Sequence, residues 1–189
     1  HLDGEIFAIQ NSGLTIKISN SLKNKGIVFK KISEAIETHE DLIKNILMKD
    51  TNDKFSSLND ALFNTGIFLY VPDNIILNVP VRLVNLVGEN IFSKNIVFVG
   101  KNSKISIIQE DYSSNYDSDT KIYSDSLDIV AKDNAAVEFS NIQNLNQKAI
   151  HLTNKNINLA KDSRAYINIG FFGGMKVRSR VNNILNGEG

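Results

Sequence analysis

Few side chains in this sequence are of types that do chemistry. Histidine stands at 1, 39 and 151. His39 opens a predicted helix and His151 lies in a predicted strand, "AIHLT". An imidazole holds a metal only with converging His or carboxylate partners. Neither neighbourhood supplies them, so both read as structural residues. Cysteine is absent, which removes thiolate ligands, disulfides and a Cys nucleophile. Glu110, Asp111, Asp117 and Asp119 offer carboxylates to a cation. They lack the glycine-containing spacing of a calcium loop and read as a solvated loop. Lys176, Arg178 and Arg180 of "KVRSR" share one strand face. They read as a solvent-facing row open to an anionic partner, with Val177 and Val181 turned to the core. "GFFGG" at 170–174 is no phosphate loop, because no helix with Lys-Ser/Thr follows. Gly173 and Gly174 fit a backbone corner instead. No Ser-His-Asp set and no paired-carboxylate site stands out. The residues therefore predict no catalytic, cofactor-binding or metal site, and no enzyme.

The 189 residues carry 21 Lys and Arg against 21 Asp and Glu. That balance offers no field to nucleic acid or an anionic membrane. No run approaches the ~18 apolar residues of a membrane span. "HLDGEIFAIQ" lacks the basic and apolar regions of a signal peptide. A cytoplasmic location is expected. The start at His1, without an initiator Met, reads as an appended residue or a cut inside a longer protein. Ile and Asn are both abundant, while Pro occurs only at 72 and 80. Ile favours strands and Asn favours turns with left-handed backbone. Many short strands with Asn at the corners are expected.

The elements follow from periodicity. "EIFAIQ" and "LTIKIS" alternate around "NSG", a hairpin signal. "GIVF" at 26–29 is another short strand. Ser33 is placed to cap a turn over "EAIE". Thr38 with Asp41 makes a capping-box-like opening for a helix over 39–48, whose Leu42, Ile43, Ile46 and Leu47 share a face. A second helix covers about 54–63, with Phe55, Leu58, Ala61 and Leu62 on a stripe. Gly66 fits a left-handed C-cap. Beyond Gly66 only short strands are expected, and "DYSSNYDSDT" reads as a polar loop. The chain divides into an N-terminal α/β segment over 1–66 and a β core over 67–189.

Three stretches of the core share an outline: "VGKNSKISII" at 99, "VAKDNAAVEF" at 130 and "LAKDSRAYIN" at 159. Lys101, Lys132 and Lys161 sit at matching places, 31 and 29 residues apart. Each copy fits a β-turn between alternating strands. A period of about 30 residues, without intervening helices, favours a parallel β-solenoid in which each coil stacks on its neighbours. Val137 and Phe139 should point inward, Glu138 outward, and Asn should stack in ladders from coil to coil. An antiparallel sandwich is the rival arrangement.

Residues 26–72 carry a more specific likeness. "GIVFKKISEAIETHEDLIKNIL" is followed by a motif through Phe55, Leu58, Asn59, Ala61, Phe63, Gly66, Phe68, Tyr70, Val71 and Pro72. "FSNIQNL" ends in Leu145 where an aromatic residue is usual. "GFFGGMKVRSRVNNILNGEG" contributes Gly173, Gly174, Asn182, Leu185, Gly187, Glu188 and Gly189. Together these resemble the SufB/SufD family of the SUF iron–sulfur cluster assembly system, over nearly the whole chain and in order.

The resemblance implies a right-handed parallel β-helix. It implies a scaffold that acts by association with a SufB-like or SufD-like partner and the ATPase SufC. The chain looks nearer SufD: "QEDY" stands where SufB-like chains have a Glu-Gly-Cys step. In the family the β-helix continues past Gly-Glu-Gly to a helical domain that docks SufC. The Cys, Glu and His thought to hold the nascent cluster lie in that later part. This chain is therefore expected to be truncated at its C-terminal side, to bind no cofactor itself, and to expose an end that self-associates as a homodimer or, in the intact protein, docks a SufB-like partner. The alternative function is a β-solenoid module binding polysaccharide or serving adhesion, which would carry an aromatic stripe on one sheet.

Overall fold

The computed structural model describes residues 5–47, 53–114 and 119–187. Its strands are β1 (Ile6–Gln10), β2 (Leu14–Ile18), β3 (Val28–Lys31), β4 (Ile67–Val71), β5 (Val81–Leu86), β6 (Ile91–Val99), β7 (Lys104–Tyr112), β8 (Lys121–Ala131), β9 (Ala136–Asn144), β10 (Ala149–Leu159), β11 (Arg164–Phe171) and β12 (Lys176–Leu185). Its helices are α1 (Asn20–Asn24), α2 (Ile32–Thr38), α3 (Glu40–Leu47) and α4 (Lys54–Leu62). No helix among the described residues is long and apolar enough to cross a membrane.

From β4 onward, consecutive strands alternate between two sheets. One runs β11-β9-β7-β5-β1-β2 and the other β12-β10-β8-β6-β4-β3. The ladders β5-β7-β9-β11 and β4-β6-β8-β10-β12 are all parallel. This is a β-solenoid of about 4 turns, and the parallel register excludes the sandwich. Among the described residues, antiparallel pairs occur only at the N-terminal end, where β2 and β3 edge the two sheets. The hairpin β1-β2 thus joins the first sheet through β1, which pairs with β5. Helix α1, not foreseen from the sequence, places Leu22 among the interior apolar residues beside Ile6, Ile27 and Phe29.

The corners show why the repeat recurs. Asn74, Asn102, Asn134 and Asp162 all have positive φ, between 56° and 62°. Asn and Asp tolerate this backbone better than other side chains. Asn102 donates to Asn74 at 3.0 Å and Asn134 donates to Asn102 at 2.9 Å, the expected ladder. The true register follows these residues and not the lysines. Lys101 aligns with Asp133, so Lys132 is displaced by one, and "VPDN" is a fourth copy. Asp73 accepts from Lys101 N at 2.7 Å, and Lys101 Nζ pairs with Asp133 at 2.9 Å. Val137 and Phe139 point inward and Glu138 is exposed, as expected.

Helices α2, α3 and α4 cover the outer face of the second sheet. Ile32 and Ala35 of α2 and Ile43 of α3 pack on Phe68, Ile96 and Phe98. Ser33 does not begin α2, which starts at Ile32 after Lys31. Thr38 does not open α3 either. Its hydroxyl donates to Glu34 O at 2.8 Å and lies 2.8 Å from His39 Nδ1, closing α2. Helix α4 reverses its expected polarity: Ser56 and Asn59 are buried, while Leu58 and Leu62 are exposed. The sheet face beneath it is polar, so the polar side of the helix faces in. Gly66 is not its C-cap, since Phe63 holds that place. With φ of 146°, Gly66 runs against the Lys94 backbone, where a Cβ would overlap the carbonyl.

Candidate functional site

The interior of the solenoid is apolar along the Asn corners and polar along the opposite side. Parity explains how. In β7, Gln109 and Asp111 continue the inward set of Ile105 and Ile107. In β8, Tyr123 and Asp125 share parity with Leu127 and Ile129. In β10, His151, Thr153 and Lys155 share it with Ile157. All but Thr153 meet in one buried network, where they converge on two carboxylates.

Asp125 is 1% exposed. It accepts from Lys155 Nζ, from His151 Nε2 at 2.9 Å and from Gln109 at 3.2 Å. Asp111 accepts from Tyr123 OH at 3.0 Å, Asn85 at 2.8 Å and Asn141 at 2.7 Å. Burial alone would raise the Asp125 carboxyl, but the Lys155 ammonium and then His151 hold it well below the usual carboxylate range. Burial first, then Asp111 and Asp125, push the Tyr123 phenol well above its usual value. The rings of Tyr123 and His151 stack at 4.7 Å, and Phe171 meets His151 edge-on at 5.9 Å. Lys155 also sits 5.4 Å over the Phe139 ring. His151 Nδ1, Thr153 Oγ1 and Asn141 Oδ1 are buried without protein partners.

Chemically, this arrangement holds charge inside a β-helix: two carboxylates are satisfied by one ammonium, one imidazole and several amides. Among the described residues, no three His, Cys, Asp or Glu side chains converge as a ligand set.

The other sequence candidates are scattered. His39 lies between α2 and α3, 5.1 Å from Phe68. Burial and then the Lys30 charge hold its imidazole below the usual value. Glu110 and Asp111 belong to β7 and not to a loop: Glu110 pairs with Arg82 at 2.6 Å on the outer face, and Asp111 is buried. Asp119 lies 3.8 Å from Lys121, and Asp117 is outside the described residues. His1, Glu188 and Gly189 are also outside them. Arg178 and Arg180 do face outward on β12, but Arg178 is taken by Asp53 at 2.6 Å. Val177 and Val181 share the inward parity yet stay partly exposed on the last coil. Gly173 passes so close to Leu145 O that a Cβ would overlap it, which fits its corner role. Among the described residues, the most exposed aromatic ones, Tyr166 and Phe172, sit on or just beyond β11 and form no stripe across coils. A cleft of about 450 Å³ at the N-terminal end is lined by Gln10, Lys31, Asn64 and Glu89 among others.

Sequence reasoning flags His151 as a lone imidazole and Asp111 as part of an acidic loop. It missed Asp125, Lys155, Tyr123 and Gln109 as members of one network. The signal was present: each occurs at the inward parity of an apolar strand.

Comparison with known proteins gives a consistent result. The family model described as "SUF system FeS cluster assembly, SufBD core domain" matches residues 83–189, and the "SufBD protein N-terminal region" matches residues 1–83. The iron–sulfur cluster assembly protein SufD of Bacillus subtilis is 29% identical over 147 residues, covering 74% of this chain and 33% of that one. An iron–sulfur cluster assembly SufBD family protein of Staphylococcus saprophyticus is 25% identical over 178 residues, covering 91% and 38%. One from Trieres chinensis is 29% identical over 142 residues, covering 69% and 29%. The chain thus spans about a third of the length of the curated relatives it matches.

Proposed function

The chain belongs to the SufB/SufD family of the SUF system, and on that premise we propose that it is a SufD-like scaffold in iron–sulfur cluster assembly. The cluster is its cargo and not a resident cofactor. It works by association, without catalysis of its own, in the cytoplasm, alongside a SufB-like chain and a SufC-type ATPase.

The observation that carries this reading is the unbroken match of N-terminal and core family models along one chain. Two features of the residues support the SufD-like side. Gln109, Glu110, Asp111 and Tyr112 stand where a SufB-like chain would carry its Glu-Gly-Cys step, and no cysteine occurs in these 189 residues. At this step, sulfur relay through a thiolate falls to the partner. The buried network contributes a rigid interior: satisfied internal charges hold the coils in one register.

Affinity purification of the intact protein from its own cells tests this. Co-elution of a SufC-type ATPase and a cysteine-bearing SufB-like chain is expected. Elution without the ATPase, where the ATPase is expressed, contradicts it.

A further inference from the structure

Helix α4 and its N-cap Asp53 make polar contacts with each of four coils; on the β12 coil Arg180 also lies 3.9 Å from Asp53, and the Arg178 guanidinium lies 4.8 Å over the Phe55 ring. Asp60 accepts from Lys94 on β6 at 2.8 Å. Asn59 donates to Ser124 on β8 at 2.9 Å. Ser56 accepts from Asn154 on β10 at 2.7 Å. Asp53 accepts from Arg178 on β12 at 2.6 Å. The spacing has a geometric cause. Three helical residues rise ~4.5 Å, and neighbouring strands lie ~4.8 Å apart. A helix laid across the strands meets a new coil every three residues, and Asp53, Ser56 and Asn59 are three apart.

This hold differs in kind from that of α2 and α3. No residue of α4 belongs to an apolar cluster of the core, whereas α2 and α3 enter one with Ile32, Ala35 and Ile43. Leu58 and Leu62 of α4 are 39% and 50% exposed. Polar contacts trade closely against water, and exposed ion pairs are screened by salt. A nine-residue helix is not stable by itself. Its C-terminal end is tied, because Asn64 N donates to Phe92 O at 2.9 Å and Asn64 Oδ1 accepts from Phe92 N at 3.2 Å. At the other end one carboxylate does two jobs: Asp53 caps the helix through Ser56 N at 3.0 Å and holds Arg178.

We propose that α4 is a strap that opens from its Asp53 end about Asn64 while the β-helix stays folded, and that the Asp53–Arg178 pair sets how often it opens. Opening uncovers Lys94, Ser124 and Asn154, a buried polar row across three coils that the closed strap contacts. The state of the β12 coil is thereby coupled to a surface on the earlier ones. This goes beyond the assembly role and does not depend on it.

Hydrogen exchange on the full chain tests the strap. Amides of 57–63 should exchange at least roughly tenfold faster than central amides of β8 and β10. Asp53→Asn keeps a capping acceptor and removes the charge. It should speed exchange in α4 by about three- to tenfold, with β8 and β10 unchanged. Raising NaCl from about 0.05 M to about 0.5 M should speed α4 in the unaltered protein in the same way. Exchange of α4 in step with β8 and β10 overturns the proposal, as does an α4 rate indifferent to both the substitution and the salt.

Discussion

Replacing Asp125 by Asn probes the interior network where it is most constrained. Asparagine keeps the shape of the side chain but removes the charge that faces Lys155, which is only 1% exposed. His151 and Gln109 lose an ionised acceptor as well. Stranding one member of a buried ion pair costs about 3–5 kcal/mol. Lys155→Met strands the other charge and should cost a similar amount, about 3 kcal/mol, eased by His151 and Gln109. The double variant removes both charges. Its cost should fall short of the sum of the two singles by about 2–4 kcal/mol. A domain stability of about 5–15 kcal/mol leaves each variant measurable. Urea unfolding at pH 7, followed by circular dichroism, supplies the cycle. Single costs below about 1 kcal/mol, or costs that add within about 0.5 kcal/mol, would refute the coupling. The pH dependence has a definite sign. A carboxyl whose folded pKa is depressed contributes stability above its unfolded pKa, near 3.9, and loses it as pH falls toward the folded value. The protein should therefore lose stability steeply below about pH 4, and Asp125→Asn should show a shallower loss there.

Other substitutions have distinct signatures. Asn102→Ala places a Cβ residue at φ 56° and removes two ladder bonds, so it should cost about 1–2 kcal/mol in urea unfolding. Asn102→Gly should recover part of that loss, because glycine restores the backbone but not the bonds. Gly66→Ala drives a Cβ into the Lys94 backbone and should cost more than about 3 kcal/mol, read as a large drop in Tm or loss of folded protein. Glu110→Ala breaks an outer-face pair with the half-exposed Arg82 and should cost under about 1 kcal/mol, a control for the buried charges.

The fold was legible in the sequence because the corners carry their own mechanism. Asn or Asp at a left-handed position, flanked by alternating strands, recurs every 28 to 32 residues. Aligning the lysines misplaced one copy and hid Asn74, since lysine plays no backbone part there. The ladder marks the register; the charge beside it only decorates it. Helix α4 was legible as a helix but not as a polar one. An apolar stripe signals burial only if the surface opposite is apolar, and the face formed by Lys94, Ser124 and Asn154 is not. The interior network was least legible. Polar residues in strands are read as outward-facing by default, and only counting parity from Ile105, Leu127 or Ile157 places Asp111, Asp125 and Lys155 inside. Their convergence required three successive coils to be in register, which no local pattern reveals.

Depleting this protein in its own cells is the most direct test of its proposed place in iron–sulfur cluster assembly. Activity and cluster content of several iron–sulfur enzymes would be measured beside enzymes that carry none. The account predicts a selective fall in the first group, restored by the intact protein. Equal activity in both groups before and after depletion would contradict it.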